Sequence, residues 1–101
     1  MLKAAMKAAE TVDGCVKQIA ELCISLDYTV LITADHGNAD YMINDDGSPN
    51  TAHSLNPVPF FLVDKTMKPT LHDGKLGDIA PTILKLMKIN QPASMTGVSL
   101  F

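Results

Sequence analysis

The sequence predicts a small α/β domain, a sheet of few strands with flanking helices, and three observations carry that expectation. Apolar residues recur at helical spacing over about residues 2–25. Two short runs rich in β-branched and aromatic residues follow, separated by a long polar stretch, and a second helical pattern lies near the end. The 101 residues suffice for one domain, 1–101, with a modest core.

In the first element Leu2, Ala5, Met6, Ala9, Val12, Val16, Ile19, Leu22, Cys23 and Leu26 recur at steps of three and four. That is an amphipathic helix, with Lys3, Lys7, Glu10 and Lys17 available to its wet side. Gly14 inside it costs ~1 kcal/mol relative to Ala, and Asp27 breaks the periodicity. Tyr28-Thr29-Val30-Leu31-Ile32-Thr33 is apolar on both faces and reads as a strand in a covered sheet. Val58-Pro59-Phe60-Phe61-Leu62-Val63 reads as a second strand, with Pro59 near its start, where sheets tolerate it. No clear crossover helix separates them, so antiparallel pairing stays open. Past Asp64 the chain is polar until Asp78, a candidate N-cap, opens a helix to Met87 with Pro81 in its first turn. Ile79, Ile83 and Leu86 are expected to face the core, Asn90 to end the helix, and residues 91–101 to be irregular.

Composition narrows the function classes. Hydrophobic residues make up 47%, which argues against disorder, and the six Met favour adaptable packing. A net charge of -3 disfavours nucleic acid, which needs a basic face, and equally disfavours a phosphorylated metabolite unless cations are supplied. Residues 1–10 do not resemble a signal peptide, and no apolar run approaches the ~20 residues needed to cross a bilayer. Cys15 and Cys23 lie about 12 Å apart along a helix, too far for a disulfide. Two free, buried thiols fit a reducing cytoplasm.

The polar stretch 34–57 between the two strands is long enough to imply function or disorder. It opens with Thr33-Ala34-Asp35-His36-Gly37-Asn38-Ala39-Asp40, directly after a strand, where α/β sites gather. Asp35 and His36 offer a hard oxygen beside a borderline nitrogen, which suits Mn, Zn, Fe or Co better than Ca. Gly37 lets the chain turn without a Cβ in the way. His53, seventeen residues after His36 in Thr51-Ala52-His53-Ser54, stands just before the second strand. Residues 33–54 thus read as one wall of a divalent-metal site. A turn with a hydrogen-bonded imidazole is the competing reading of Asp35-His36, and Asp40 is open between a solvated carboxylate and a group orienting a ligand. Asp45, Asp46 and Gly47 read as turn chemistry. His72 is placed on an exposed turn without a role. Neither Thr51 nor Ser54 has a base set beside it by sequence, so no catalytic nucleophile is assigned.

Thr33-Ala34-Asp35-His36-Gly37-Asn38 followed by Thr51-Ala52-His53-Ser54-Leu55-Asn56-Pro57-Val58-Pro59-Phe60 resembles the C-terminal part of the cofactor-independent phosphoglycerate mutases, members of the alkaline phosphatase superfamily. Leu76-Gly77-Asp78-Ile79-Ala80-Pro81-Thr82-Ile83-Leu84 and Met95-Thr96-Gly97-Val98-Ser99-Leu100 extend the resemblance, as do Ala4-Ala5-Met6-Lys7-Ala8 and Val12-Asp13. It implies part of an alkaline-phosphatase-like domain from a cytoplasmic glycolytic isomerase. Such an enzyme interconverts 3-phosphoglycerate and 2-phosphoglycerate through a phosphoserine intermediate with two metal ions, usually Mn2+. By position, Asp35 and His36 match ligands of the metal that also binds the serine nucleophile, and His53 matches a ligand of the other metal.

The departures from that pattern are specific. The family's serine nucleophile and an Asp-x-x-x-His pair of ligands have no counterpart: the residues four before His36, His53 and His72 are Ile32, Pro49 and Lys68. Arginine, which the family uses to bind substrate, is absent. The chain is therefore expected to be a truncation, inactive alone. A phosphopentomutase or phosphatase of the same superfamily is the alternative enzyme. A non-catalytic module that self-associates through apolar surface is the alternative of another class.

Overall fold

The computed structural model describes residues 2–101, which form two compact units, one ending at Met67 and the other spanning Lys68–Phe101. The first contains helix α1 (Leu2–Ser25) and strands β1 (Val30–Thr33) and β2 (Phe60–Val63). The second contains helix α2 (Ile79–Leu86), entered through a 3-10 turn at Leu76–Asp78. The expected α/β character is present.

Helix α1 begins and ends where the apolar periodicity does, but its stripe is not covered by the described residues. Ala5, Val16, Ala20, Cys23 and Ile24 are half-buried, whereas Leu2, Met6, Val12, Ile19 and Leu22 are each more than half exposed, and no residue of the helix is fully buried. The reason is dimensional. A 24-residue helix is about 36 Å long, and two four-residue strands of about 13 Å cannot cover it. The expectation of two buried thiols fails for the same reason: Cys15 is exposed and Cys23 half-buried, both free.

The helix stops because Asp27 takes a left-handed conformation (φ 64°). The Tyr28 amide then donates to the Cys23 carbonyl (2.9 Å) and the Asp27 amide to Ile24 (3.1 Å), the paired bonds of a Schellman motif.

Strands β1 and β2 pair antiparallel, with Val30 opposite Val63 and Thr33 opposite Phe60. Each is two residues shorter at its start than its apolar run. Among the described residues the sheet has these two strands, and it is not covered on both faces: β2 alternates half-buried Phe60 and Leu62 with exposed Phe61 and Val63. Thr29 Oγ1 donates to Asp64 (2.6 Å) and ties the two outer ends together. Three further donors, the Thr66 and Met67 amides and the Thr66 hydroxyl, reach the same carboxylate. With Thr29 foremost, they hold the Asp64 carboxyl down at about 2.

In the second unit Asp78 does not act as a side-chain N-cap for α2. Its own backbone is helical, and its buried carboxylate accepts instead from the Lys75 amide (3.0 Å) and the Val98 amide (2.9 Å). One oxygen closes the 3-10 turn and the other holds the segment 97–101. These amides, Val98 first, lower its pKa. Thr82, fully buried, donates to the Asp78 carbonyl (2.7 Å) and accepts from the Leu100 amide (2.9 Å). Residues 91–101 form no helix or strand, as expected, yet the end is fastened: the His72 amide donates to the Leu100 carbonyl, and Lys85 Nζ lies over the Phe101 ring (4.4 Å). A Cβ at Gly97 would stand 2.1 Å from the Gly77 carbonyl oxygen, so only glycine allows this approach. The face of α2 expected to be apolar core is therefore partly polar. Pro81 and Thr82 are buried, Ile79 and Leu86 half-buried, and Ile83 is 39% exposed. Lys88 (φ 58°), not Asn90, ends the helix through a second Schellman pair, Ile89 amide to Leu84 and Lys88 amide to Lys85.

Candidate metal centre

The connection 34–59 leaves the carboxyl end of β1 at Thr33 and returns at Phe60, its register partner, so both ends of the loop are pinned side by side. Thr33 Oγ1 reinforces the junction by donating to the Pro59 carbonyl (2.9 Å). The loop itself is folded. Its far end is a tight turn closed by an Ile43–Pro49 bridge, with Gly47 at φ 85°. There Asp46 accepts from the amide (2.9 Å) and hydroxyl (2.6 Å) of Ser48, which lower its pKa, as the Asp46-Gly47 turn reading requires.

Its near end is an antiparallel bridge between Gly37 and Ser54, made by the Gly37 amide to the Ser54 carbonyl (3.2 Å) and the Ser54 amide to the Gly37 carbonyl (2.8 Å). His36 and His53 each precede a bridge partner, and such diagonal neighbours lie within reach of ring side chains. The imidazoles stack with centroids 3.7 Å apart and planes 10° from parallel. Asp35 Oδ1 lies 3.5 Å from His36 Nε2. All three residues singled out in the sequence are therefore brought together at the end of β1, exposed or on the margin of exposure.

The donor chemistry fits a cation. His36 Nδ1 is 3.0 Å from the Gly37 carbonyl, which can only accept, so Nδ1 carries the proton and a neutral ring keeps its lone pair on Nε2. That nitrogen lies 3.5 Å from the Asp35 carboxylate. Two acceptors 3.5 Å apart are favourable only with positive charge between them, a proton or a metal ion, and the edge of a tetrahedron with bonds of about 2.1 Å is about 3.4 Å. His53 does not join this pair as a third ligand. Imidazole lone pairs lie in the ring plane, and stacked parallel rings cannot aim theirs at one ion. Among the described residues no three His, Cys, Asp or Glu side chains converge on a single point.

Three residues around the pair carried no assigned role in the sequence. Asp40 Oδ2 accepts from Ser54 Oγ (2.9 Å) and from Asn56 Nδ2 (2.7 Å), and these bonds, Asn56 first, lower the pKa of the carboxyl. The Ser54 hydroxyl is thus committed to Asp40 and buried, in keeping with its not being read as a nucleophile. Gly37 has no positive φ; a Cβ there would instead lie 2.7 Å from Asp40 Oδ1 and 2.9 Å from Ser54 Cβ. Close approach, rather than a sharp turn, explains the glycine. Sequence offered only the nearness of Ser54 and Asn56 to His53 as a signal. His72 is exposed in the second unit, with Nδ1 2.9 Å from the Asp73 carbonyl.

Residues 1–91 match the family model described as the Metalloenzyme superfamily. The chain belongs to that superfamily. Within it, the chain is 56% identical over 100 residues to the 2,3-bisphosphoglycerate-independent phosphoglycerate mutase of Flavobacterium johnsoniae, covering 99% of this chain and 20% of that protein. Proteins of the same name from Gracilaria tenuistipitata and Thermosynechococcus vestitus are 47% identical over 102 residues and 51% identical over 108, each alignment covering 98% of this chain and 20% of the relative. The chain thus spans about one fifth of the length of the curated relatives it matches. The resemblance read in the loop motifs is the one these comparisons return.

Proposed function

We propose that this chain supplies part of the metal-binding wall of a phosphoglycerate mutase that interconverts 3-phosphoglycerate and 2-phosphoglycerate, with 1–101 lying within its phosphatase domain. Asp35 and His36 would hold one divalent ion and His53 a second. The observation that carries the reading is the stack of His36 on His53, with Asp35 beside the His36 lone pair, in a chain of this superfamily. The non-convergence of the two rings supports two ions rather than one. Bound there, divalent ions supply the positive charge that an acidic chain lacks for an anionic phosphoryl group. The chain's own residues do the positioning: the Gly37 carbonyl accepts from His36 Nδ1–H and so holds the ring in the ligating tautomer, and the Gly37–Ser54 bridge sets the distance between the rings.

Manganese is the ion the motif resemblance favours, and a cytoplasmic setting is part of the same proposal. No helix among the described residues is long and apolar enough to cross a membrane. Catalysis by these 101 residues alone is not expected, because none of the described side chains combines a free nucleophile with a complete ligand set. Incubation of the purified chain with 3-phosphoglycerate and Mn2+ tests this: no detectable 2-phosphoglycerate is expected, and turnover at the rate of an intact mutase overturns the proposal. The uncovered apolar residues of α1 further support self-association of the chain.

A further inference from the structure

We infer that Asp40 is a positioning residue for the two histidines, acting through Ser54 and Asn56 rather than as a ligand. The inference rests on the proposal that His36 and His53 bind metal, and it concerns what holds them in register. Among the described residues their segments are joined at one bridge, Gly37 with Ser54, and a single bridge between loop strands is weak unless fastened from outside. Asp40 is that fastening. One carboxylate oxygen takes the Ser54 hydroxyl (2.9 Å) and the Asn56 side-chain amide (2.7 Å), and the Asn56 backbone amide donates back to Ser54 Oγ (3.0 Å). The result is a closed three-residue clasp with the buried Ser54 at its centre, one residue after His53.

The clasp sits over Gly37, one residue after His36, so closely that a methyl there would strike both Asp40 and Ser54. It therefore presses the His53 segment onto the His36 segment. Opening it frees Ser54, then the bridge, then the ring stack. A charged acceptor suits this role, since hydrogen bonds to a carboxylate are about twice as strong as neutral ones.

The test uses the full 101-residue chain in two readouts: cross-relaxation between the His36 and His53 ring protons without metal, and Co2+ affinity from its absorption spectrum. Asp40→Ala is expected to abolish the ring-to-ring signal and to weaken Co2+ binding about 10–100-fold. Asp40→Asn, which keeps one acceptor, should fall between. An Asp40→Ala chain with an intact ring signal and wild-type Co2+ affinity overturns the inference. If wild type binds no Co2+ but Asp40→Ala still separates the rings, the metal reading fails and the positioning role stands. If Asp40→Ala also disturbs the Val30–Val63 pairing, Ser54→Ala decides. Loss of the ring signal with β1 and β2 still paired supports the clasp, and its retention refutes it.

Discussion

Replacing Thr82 with valine isolates the polar core of the second unit. The side chain is fully buried, and valine preserves its shape while removing the hydroxyl. That hydroxyl makes two bonds, donating to the Asp78 carbonyl at 2.7 Å and accepting from the Leu100 amide at 2.9 Å. Asp78 loses only an extra donor, but the Leu100 amide is left without an acceptor beside a residue that is 5% exposed. An unsatisfied buried donor costs about 1–3 kcal/mol, which corresponds to about a 5–150-fold change in the opening equilibrium. Thr82→Ser is the control. It keeps the hydroxyl and deletes one methyl, for about 1 kcal/mol. Amide hydrogen exchange read by NMR separates the two, with Leu100 deprotected by Thr82→Val and still protected in Thr82→Ser. Equal protection of Leu100 in wild type and Thr82→Val would show that the hydroxyl does not anchor the segment 97–101.

Three other outcomes follow from the structure. Lys88→Gly relieves a left-handed non-glycine residue at the end of α2 and should raise stability by about 0.5–1 kcal/mol, seen as a higher urea midpoint. The Asp64 carboxyl, held at about 2 by Thr29, Met67 and Thr66, has a folded pKa below its ordinary 3.8. Its contribution to stability is therefore complete above about pH 4 and is lost as pH falls from 4 toward 2. An NMR titration should find its midpoint near 2, and a midpoint near 4 would contradict the Thr29 bond. Finally, the uncovered stripe of α1 should drive dimers or larger species in light scattering at high concentration, reduced by Ile19→Glu; a monomer throughout would show that the stripe does not self-associate.

Local physics made much of this chain legible. The bounds of α1 follow from its 3.6-residue periodicity. Asp35 and His36 could be placed at a strand end because the run 28–33, which contains β1, is six residues of unbroken β-branched and apolar pattern with polar residues soon after it. What escaped depends on partners distant in sequence or on backbone conformations that residue type conceals. Asp78 looks like an N-cap from its neighbours, but Val98, twenty residues on, takes its carboxylate. Asp40 could not be assigned because Ser54 and Asn56 reach it only after the loop closes. A lysine gives no sign of a left-handed φ, so the sequence favours Asn90 as the stop, whereas Lys88 takes that conformation. The stacking of His36 on His53 needed the Gly37–Ser54 bridge, which no spacing rule supplies.

Calorimetric titration of Mn2+ into the purified chain, set beside His36→Ala and His53→Ala, reads directly whether the Asp35–His36 pair holds the ion. Wild type is expected to bind Mn2+ weakly, with binding lost in His36→Ala because Asp35 is left as a lone donor, and weakened but not lost in His53→Ala, which keeps the Asp35–His36 pair and removes the ring stacked on it. Unchanged Mn2+ affinity in His36→Ala would contradict it, by showing that the paired carboxylate and imidazole at the end of β1 do not hold the ion.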